Sequence, residues 1–190
     1  MKGIFKTIIV IVLLVILAFV AYSSGLLDTF TATGQTYESN GITFQYPDSW
    51  TEANCVSDGA IGAVVDSNNS NISVVIQQVP PEYGSDIQNA CAVNDQFLSQ
   101  SSNYVNIQEI NSSIHNQSVV MHRYLVNEPD GSQKEHVATW IKMRDNKIYV
   151  ILFSTPVNSY EQERSSYDLI AGTFNLTNNS NNTSLFPINL

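Results

Sequence analysis

The chain begins with an unbroken apolar run, and the rest of it alternates between short apolar and polar segments. Every residue from Ile8 to Tyr22 is apolar or aromatic, and Lys2 and Lys6 precede that run. Counted from Ile4, a helix over this stretch rises about 28 Å, close to the roughly 30 Å thickness of the hydrocarbon core. Positive charge ahead of such a helix keeps its start in the cytoplasm. The pattern predicts a transmembrane anchor over residues 1–24, with the rest of the chain outside.

Two processing alternatives stay open for this segment. Ala21, Tyr22 and Ser23 roughly fit the small-x-small site of a signal peptidase, and cleavage there would give a secreted protein. A pilin-type leader would be cut after Gly3, but Ile8 stands where pilins usually carry a Glu. The length of the apolar run favours an uncleaved, single-pass anchor in the cell membrane.

Beyond the anchor, alternating apolar and polar residues predict a series of strands. In Ile42–Tyr46 every second residue is apolar, as in a half-buried strand, and a hairpin turn at Ser39–Gly41 leads into it. Similar segments predict further strands over residues 61–65, 72–79, 105–110, 119–126, 134–143 and 149–153.

Two stretches change to helical spacing. Residues 86–99 carry an apolar stripe that includes Phe97, with Ser85 or Asp86 as the N-cap. Residues 159–173 have a second stripe, and their start predicts a capping box in which the Ser159 side chain caps the helix.

The turns between the last three predicted strands set their register. The Pro-Asp-Gly turn between the first two places Tyr124 opposite His136. A two-residue loop at Asp145–Asn146 would then place Trp140 opposite Ile151. Both pairings predict neighbouring antiparallel strands.

One strand decides the predicted architecture. Tyr149–Phe153 is apolar on both faces, so it must be covered from both sides, and the two predicted helices supply that cover. We therefore expect an α+β fold, an α-β-α sandwich around an antiparallel meander sheet, preceded by one N-terminal transmembrane helix. The domain would span residues 37–175, between a linker at 25–36 and an Asn/Ser-rich tail at 176–190 that we expect to be disordered.

The opening and closing segments resemble the PsbP-like domains. The opening is Gly41-Ile42-Thr43-Phe44-Gln45-Tyr46-Pro47, followed by Trp50, and it is similar to the first strand of that family. Tyr149–Pro156 and the stripe from Tyr160 to Phe174 are similar to its last strand and terminal helix. The resemblance covers roughly residues 37–175 and implies the same α-β-α sandwich.

For function the resemblance implies an accessory role. Photosystem members of the family dock onto a membrane complex through basic residues and support calcium and chloride retention. Here the whole domain carries six basic residues, Arg123, Lys134, Lys142, Arg144, Lys147 and Arg164. This favours an archaeal or bacterial surface relative.

Charge narrows the range of partners further. The chain has 17 acidic and 8 basic residues, and without Lys2 and Lys6 the net charge of the remainder is −11. Nucleic acids and anionic lipid headgroups are bound by clustered Lys and Arg, so neither is an expected partner.

An exported domain permits two covalent modifications. Cys55 and Cys91 are the two cysteines, and they could form a disulfide or stay as buried thiols. Eight sequons make N-glycosylation a hypothesis, at Asn68, Asn71, Asn111, Asn116, Asn175, Asn178, Asn181 and Asn182.

The sequence contains none of the familiar catalytic motifs for hydrolases, metalloproteases or phosphate-binding loops, so we expect a non-enzymatic protein. The best metal candidate is the pair His122 and His136, which the predicted register places diagonally on one face, about 7–8 Å apart. Weaker calcium candidates are the acidic turns with Asp58, Asp66, Asn68 and Asn69, or with Glu128 and Asp130. We expect no cofactor, with zinc or calcium as alternatives.

These observations predict a membrane-anchored extracytoplasmic accessory or binding module, with an unidentified envelope protein as partner. The alternative is a ligand- or metal-binding surface protein that uses the His122/His136 face. An unrecognised hydrolase stays open as a third hypothesis.

Overall fold

The computed structural model describes residues 34–55, 59–100, 103–127 and 131–177. The predicted anchor at 1–24 and the tail from residue 178 lie outside this part. Within the described residues, no helix is long and apolar enough to cross a membrane.

The described residues form ten strands, two α-helices and a short 3-10 helix. The strands are β1 Gly34–Ser39, β2 Ile42–Pro47, β3 Trp50–Glu52, β4 Ala60–Asp66, β5 Ser73–Gln78, β6 Val105–Ile114, β7 Gln117–Asn127, β8 Gln133–Lys142, β9 Ile148–Pro156 and β10 Asn175–Leu176. The helices are the 3-10 turn Pro81–Tyr83, α1 Ile87–Leu98 and α2 Tyr160–Thr173. β1 begins at Gly34, inside the predicted linker, because Gly34 to Ser39 pair with β2.

The strands form two sheets, and every pair of neighbours is antiparallel. The large sheet has the order β3-β4-β5-β9-β8-β7-β6, and the small one has the order β1-β2-β10. The predicted antiparallel sheet with two helices is confirmed. β9 lies at the centre of the large sheet, as its two apolar faces require.

Alternate residues of the central strands enter two separate cores. Phe153 of β9 packs with α2 and the small sheet, whereas its neighbour Leu152 packs with α1. We call these two sides of the large sheet the α2 face and the α1 face. Residues alternate between them because successive side chains of a strand point to opposite sides.

One predicted register is confirmed and one is wrong. Tyr124 pairs with His136 as predicted. Trp140, however, pairs with Val150 rather than Ile151. The β8–β9 loop has one residue more than predicted, because Asn146 adopts a left-handed backbone (φ +64°) that closes a three-residue turn. Val150, not Ile151, therefore lies on the α1 face.

Of the two predicted helix caps, one is confirmed and one is wrong. The Asp86 carboxylate accepts a hydrogen bond from the Asn89 N–H at 2.8 Å, so it caps α1 as expected. The predicted capping box of α2 is wrong. Ser159 has helical dihedral angles, its side chain makes no capping bond, and its backbone carbonyl accepts from the Gln162 N–H instead.

Candidate functional site

A cavity of about 320 Å³ opens between α1 and the large sheet, and we call it the α1 cleft. Its lining consists of Gly59, Gln77, Gln78, Val79, Pro80, Tyr83, Ala90, Val93, Asn94, Phe97, Tyr124, Ala138, Trp140, Val150 and Leu152.

Small side chains explain why the cleft is not filled. Ala90 on α1 and Ala138 on β8 are both almost fully buried and both line the space. Protein interiors are normally packed as densely as organic crystals, so two methyl groups on these walls leave a gap that their neighbours must close. The larger rings of Tyr124 and Trp140 border this gap without filling it.

Two exposed aromatic rings stand at the cleft. Phe97 at the end of α1 is 60% exposed and Tyr83 in the 3-10 turn is 38% exposed. Their ring centroids are 6.2 Å apart in an edge-to-face arrangement. The predicted helical stripe had Phe97 facing the core, and this is wrong. Exposed apolar groups beside a cavity are typical of ligand or protein contact sites.

Asp95, Tyr104 and His122 form a hydrogen-bonded chain, and the His122 ring packs against Tyr124 and Trp140, which line the cleft. Tyr104 donates to the Asp95 carboxylate, and its oxygen is 2.8 Å from Nε2 of the fully buried His122. Because the one Tyr104 proton goes to Asp95, Nε2 must carry a proton and donate to Tyr104. Nδ1 of His122 then keeps a lone pair, and it has no partner among the described residues. Burial lowers the pKa of His122 more than Asp95 and Glu109 raise it, which favours the neutral ring.

The two cysteines differ in solvent exposure and lie in different parts of the fold. Cys91 on α1 is buried, with its sulfur 3.7 Å from the Glu109 carboxylate. Burial, reinforced by Glu109, raises the pKa of Cys91 to about 12, so it stays a thiol. Cys55 follows β3 at the opposite edge of the large sheet and is exposed. The structure has both as free thiols, because α1 packs over β7 and β8, about four strand spacings from β3.

His122 and His136 lie on one face, as predicted. The Tyr124 ring packs against both imidazoles, with its centroid 4.9 Å from that of His122 and 5.2 Å from that of His136. His136 Nδ1 is 2.9 Å from the Ser154 hydroxyl. Burial, with a smaller contribution from Lys134, lowers the pKa of His136 to about 4. No three His, Cys, Asp or Glu among the described residues are placed to hold a metal ion. The structure therefore adds no third ligand to this pair.

The predicted calcium turns are only partly described. Asp58, Glu128 and Asp130 lie outside the described residues. Asp66 accepts from the Asn68 N–H at 2.9 Å, and Asn69 accepts from the Asn71 N–H at 3.1 Å. These oxygens close their own turns.

The PsbP family model matches residues 32–176. The chain belongs to the PsbP family. Among solved structures, it resembles the solution structure of cyanobacterial PsbP (CyanoP) from Synechocystis sp. PCC 6803, with a TM-score of 0.56 and 19% identity over 77% of this chain and 94% of that one.

Two further structures share the fold. The Ran-binding protein Mog1p of Saccharomyces cerevisiae matches with a TM-score of 0.55 and 14% identity, over 77% of this chain and 96% of that one. LpqN, involved in cell envelope biogenesis of Mycobacterium tuberculosis, matches with a TM-score of 0.51 and 12% identity, over 77% and 87%. No curated protein matches the chain. Identities this low establish the PsbP fold alone.

Exposure of the sequons leaves the glycosylation hypothesis open. Five sequon asparagines of the PsbP-family domain are exposed, namely Asn68, Asn71, Asn111, Asn116 and Asn175. The other three, Asn178, Asn181 and Asn182, lie outside the described residues.

Sequence reasoning missed the cleft, although one signal pointed to it. Asn94 lies on the otherwise apolar stripe of α1, and its half-buried side chain lines the cavity. A polar residue within the stripe departs from the pattern of a helix that packs against a fully apolar core.

Proposed function

We propose that this PsbP-family protein is a membrane-anchored, extracytoplasmic binding module, a non-enzymatic accessory part of an envelope complex that binds through the α1 cleft. The apolar run Ile8–Tyr22 behind Lys2 and Lys6 supports the anchor and the orientation.

The observation that carries this proposal is the α1 cleft with its exposed rings. An apolar cavity of about 320 Å³ is within the size range of ligand sites. Leaving Phe97 and Tyr83 in water loses the free energy that their burial would supply. A bound partner that covers both rings would recover it.

The chemistry around the cleft supports binding over catalysis. Cys91 is held as a thiol by burial and Glu109, which makes it a poor nucleophile. His122 is fully buried and does not line the cleft, so it has no route to a bound substrate. A general base must reach the proton that it removes.

A photocrosslinking amino acid at position 97 of the full-length chain in cells tests the binding site. We expect a discrete adduct with an envelope component, absent when the same group is placed at Arg164, which is exposed on α2. The adduct should also vanish when Ala138→Phe fills the cleft. Equal crosslinking from positions 97 and 164 would contradict the proposal.

Protease added to intact cells tests the location. The domain should be digested while the extreme N-terminus stays protected. Digestion that requires lysis would place the domain on the cytoplasmic side and contradict the proposed location.

A further inference from the structure

We propose that the α1 cleft binds an uncharged small molecule with about two fused rings and one hydrogen-bonding group. This inference rests on the proposed function of the cleft as the binding site, and it adds the chemical class of the ligand.

The size of the cleft sets the number of rings. An apolar protein cavity of about 150 Å³ accepts benzene. The α1 cleft, at about 320 Å³, has roughly twice that volume. Two fused rings would therefore fill it, whereas one ring would leave much of its wall without contacts.

The shape of the lining favours flat rings. Tyr124 and Trp140 lie on the sheet side of the cleft, and Tyr83 and Phe97 are the aromatic residues of the other elements that line it. Aromatic side chains gain contact energy from offset-stacked and edge-to-face partners beyond what area alone supplies.

The charge of the lining argues for a neutral ligand. None of the described lining residues is acidic or basic. The Lys147 amine donates to the Gln78 side chain at 3.1 Å, but Lys147 itself is not a lining residue. An ion in the cleft would lose hydration without a charged lining side chain to pair with, and the net charge of −9 adds repulsion for anions.

Asn94 supplies the polar contact. Its side-chain amide lines the cleft, and no hydrogen-bond partner for it is found among the described residues. An amide offers both a donor and an acceptor, so one hydroxyl or carbonyl on the ligand is enough to pair with it. Orientation of an apolar ligand by one or two polar groups is usual in such sites.

Three matched probes separate these features. 2-Naphthol is neutral with one hydroxyl, naphthalene lacks the hydroxyl, and naphthalene-2-sulfonate carries a charge on the same rings. With the full-length chain in lipid nanodiscs, calorimetry should show 2-naphthol binding at least tenfold more tightly than the sulfonate. It should also bind severalfold more tightly than naphthalene. Empty nanodiscs give the lipid background.

Two variants of adjacent residues locate the binding. Val93 lines the cleft, whereas Ala92 is exposed on the same helix. Val93→Trp should weaken 2-naphthol binding more than tenfold, and Ala92→Trp should leave it unchanged. Asn94→Leu, which has a similar branched shape without the amide, should remove the preference for 2-naphthol over naphthalene. It provides a test that does not depend on how Val93→Trp folds.

Equal affinity for the neutral and charged probes, or binding unaffected by both Val93→Trp and Asn94→Leu, would overturn the ligand class. If no probe binds while position 97 still forms its adduct in cells, this inference is wrong and the proposed function stands. If no probe binds and position 97 forms no adduct in cells, both the ligand class and the proposed function are wrong.

Discussion

The two faces of the large sheet are built from the same strands but packed in different ways. Among the described residues, twenty-one buried side chains from the α2 face, α2 and the small sheet form one cluster. The cluster on the α1 face has nine, counted over the same part of the chain, and beside them is the α1 cleft. The α2 face therefore has the larger packed core, whereas the α1 face keeps an unfilled cavity.

Buried polar groups follow the same division. On the α2 face, the fully buried Thr139 hydroxyl is hydrogen-bonded to Tyr167. On the α1 face, Nδ1 of the fully buried His122 has no partner among the described residues. An unsatisfied buried group costs about 1–3 kcal/mol, a cost that binding sites often bear.

Adjacent residues of β9 give the largest expected contrast. Phe153 is fully buried on the α2 face, so Phe153→Ala should lower the free energy of unfolding by about 3–5 kcal/mol. Leu152 is half-buried at the edge of the cleft, and Leu152→Ala should cost about 1 kcal/mol. Urea denaturation of both variants measures the difference. Equal losses would mean that the two faces contribute alike.

Acid should weaken the α1 face next. The pKa of His136 is lowered to about 4 in the folded protein, against an ordinary 6.5. As pH falls below 6.5, the unfolded chain takes up this proton before the folded protein does. The contribution of His136 to the free energy of unfolding is therefore fully present above pH 6.5 and is lost progressively down to about pH 4. The loss should be on the order of 2 kcal/mol, since half-burial moderates the effect.

The urea midpoint as a function of pH measures this loss. His136→Gln should flatten the slope between pH 6.5 and 4, leaving the smaller contribution of His122, whose pKa burial also lowers. An unchanged slope in His136→Gln would assign the acid sensitivity to other groups.

Hydroxyl removal on the two faces should give a smaller contrast. Tyr167→Phe leaves the Thr139 hydroxyl buried without its partner and should cost about 1–2 kcal/mol. The Tyr124 hydroxyl has no hydrogen-bond partner among the described residues, so Tyr124→Phe should change stability by less than about 0.5 kcal/mol. Thermal unfolding distinguishes them, and a larger loss in Tyr124→Phe would reverse the comparison.

Thiol labelling should distinguish Cys91, in the core of the α1 face, from Cys55 at the sheet edge, without changing stability. The exposed Cys55 should react in the native protein without reductant, and the buried Cys91 only after unfolding. Mass spectrometry should therefore count one label and then two. If neither cysteine is labelled before or after unfolding, Cys55 and Cys91 form a disulfide.

The fold was predictable where local chemistry and packing agree. Alternation in Ile42–Tyr46 predicted β2, and the Asn40-Gly41 turn before it has the positive φ angles (+50° and +82°) of a tight hairpin. The one-residue error in the β8–β9 loop arose because Asn146 tolerates a left-handed backbone almost as glycine does. Either loop length suits that sequence, and only pairing along the whole strand selects one.

The candidate site was much less predictable. His122, His136 and Tyr124 were placed on one face from strand register alone, because period-two alternation fixes which residues share a face. Phe97 was assigned to the core, since helical periodicity shows which side of a helix faces inward but not how far the contact extends along it.

The sequence by itself determined the large-scale features of this protein: the apolar start, the acidic remainder, the antiparallel strands, and the need to cover β9 on both sides. These follow from composition and from periodicity, which act within a few neighbouring residues. Tertiary structure alone decided that Ala90 and Ala138 both line an open cleft, and that Cys55 and Cys91 lie apart. Both depend on contacts between residues distant in the chain, and no local pattern encodes the space between two surfaces.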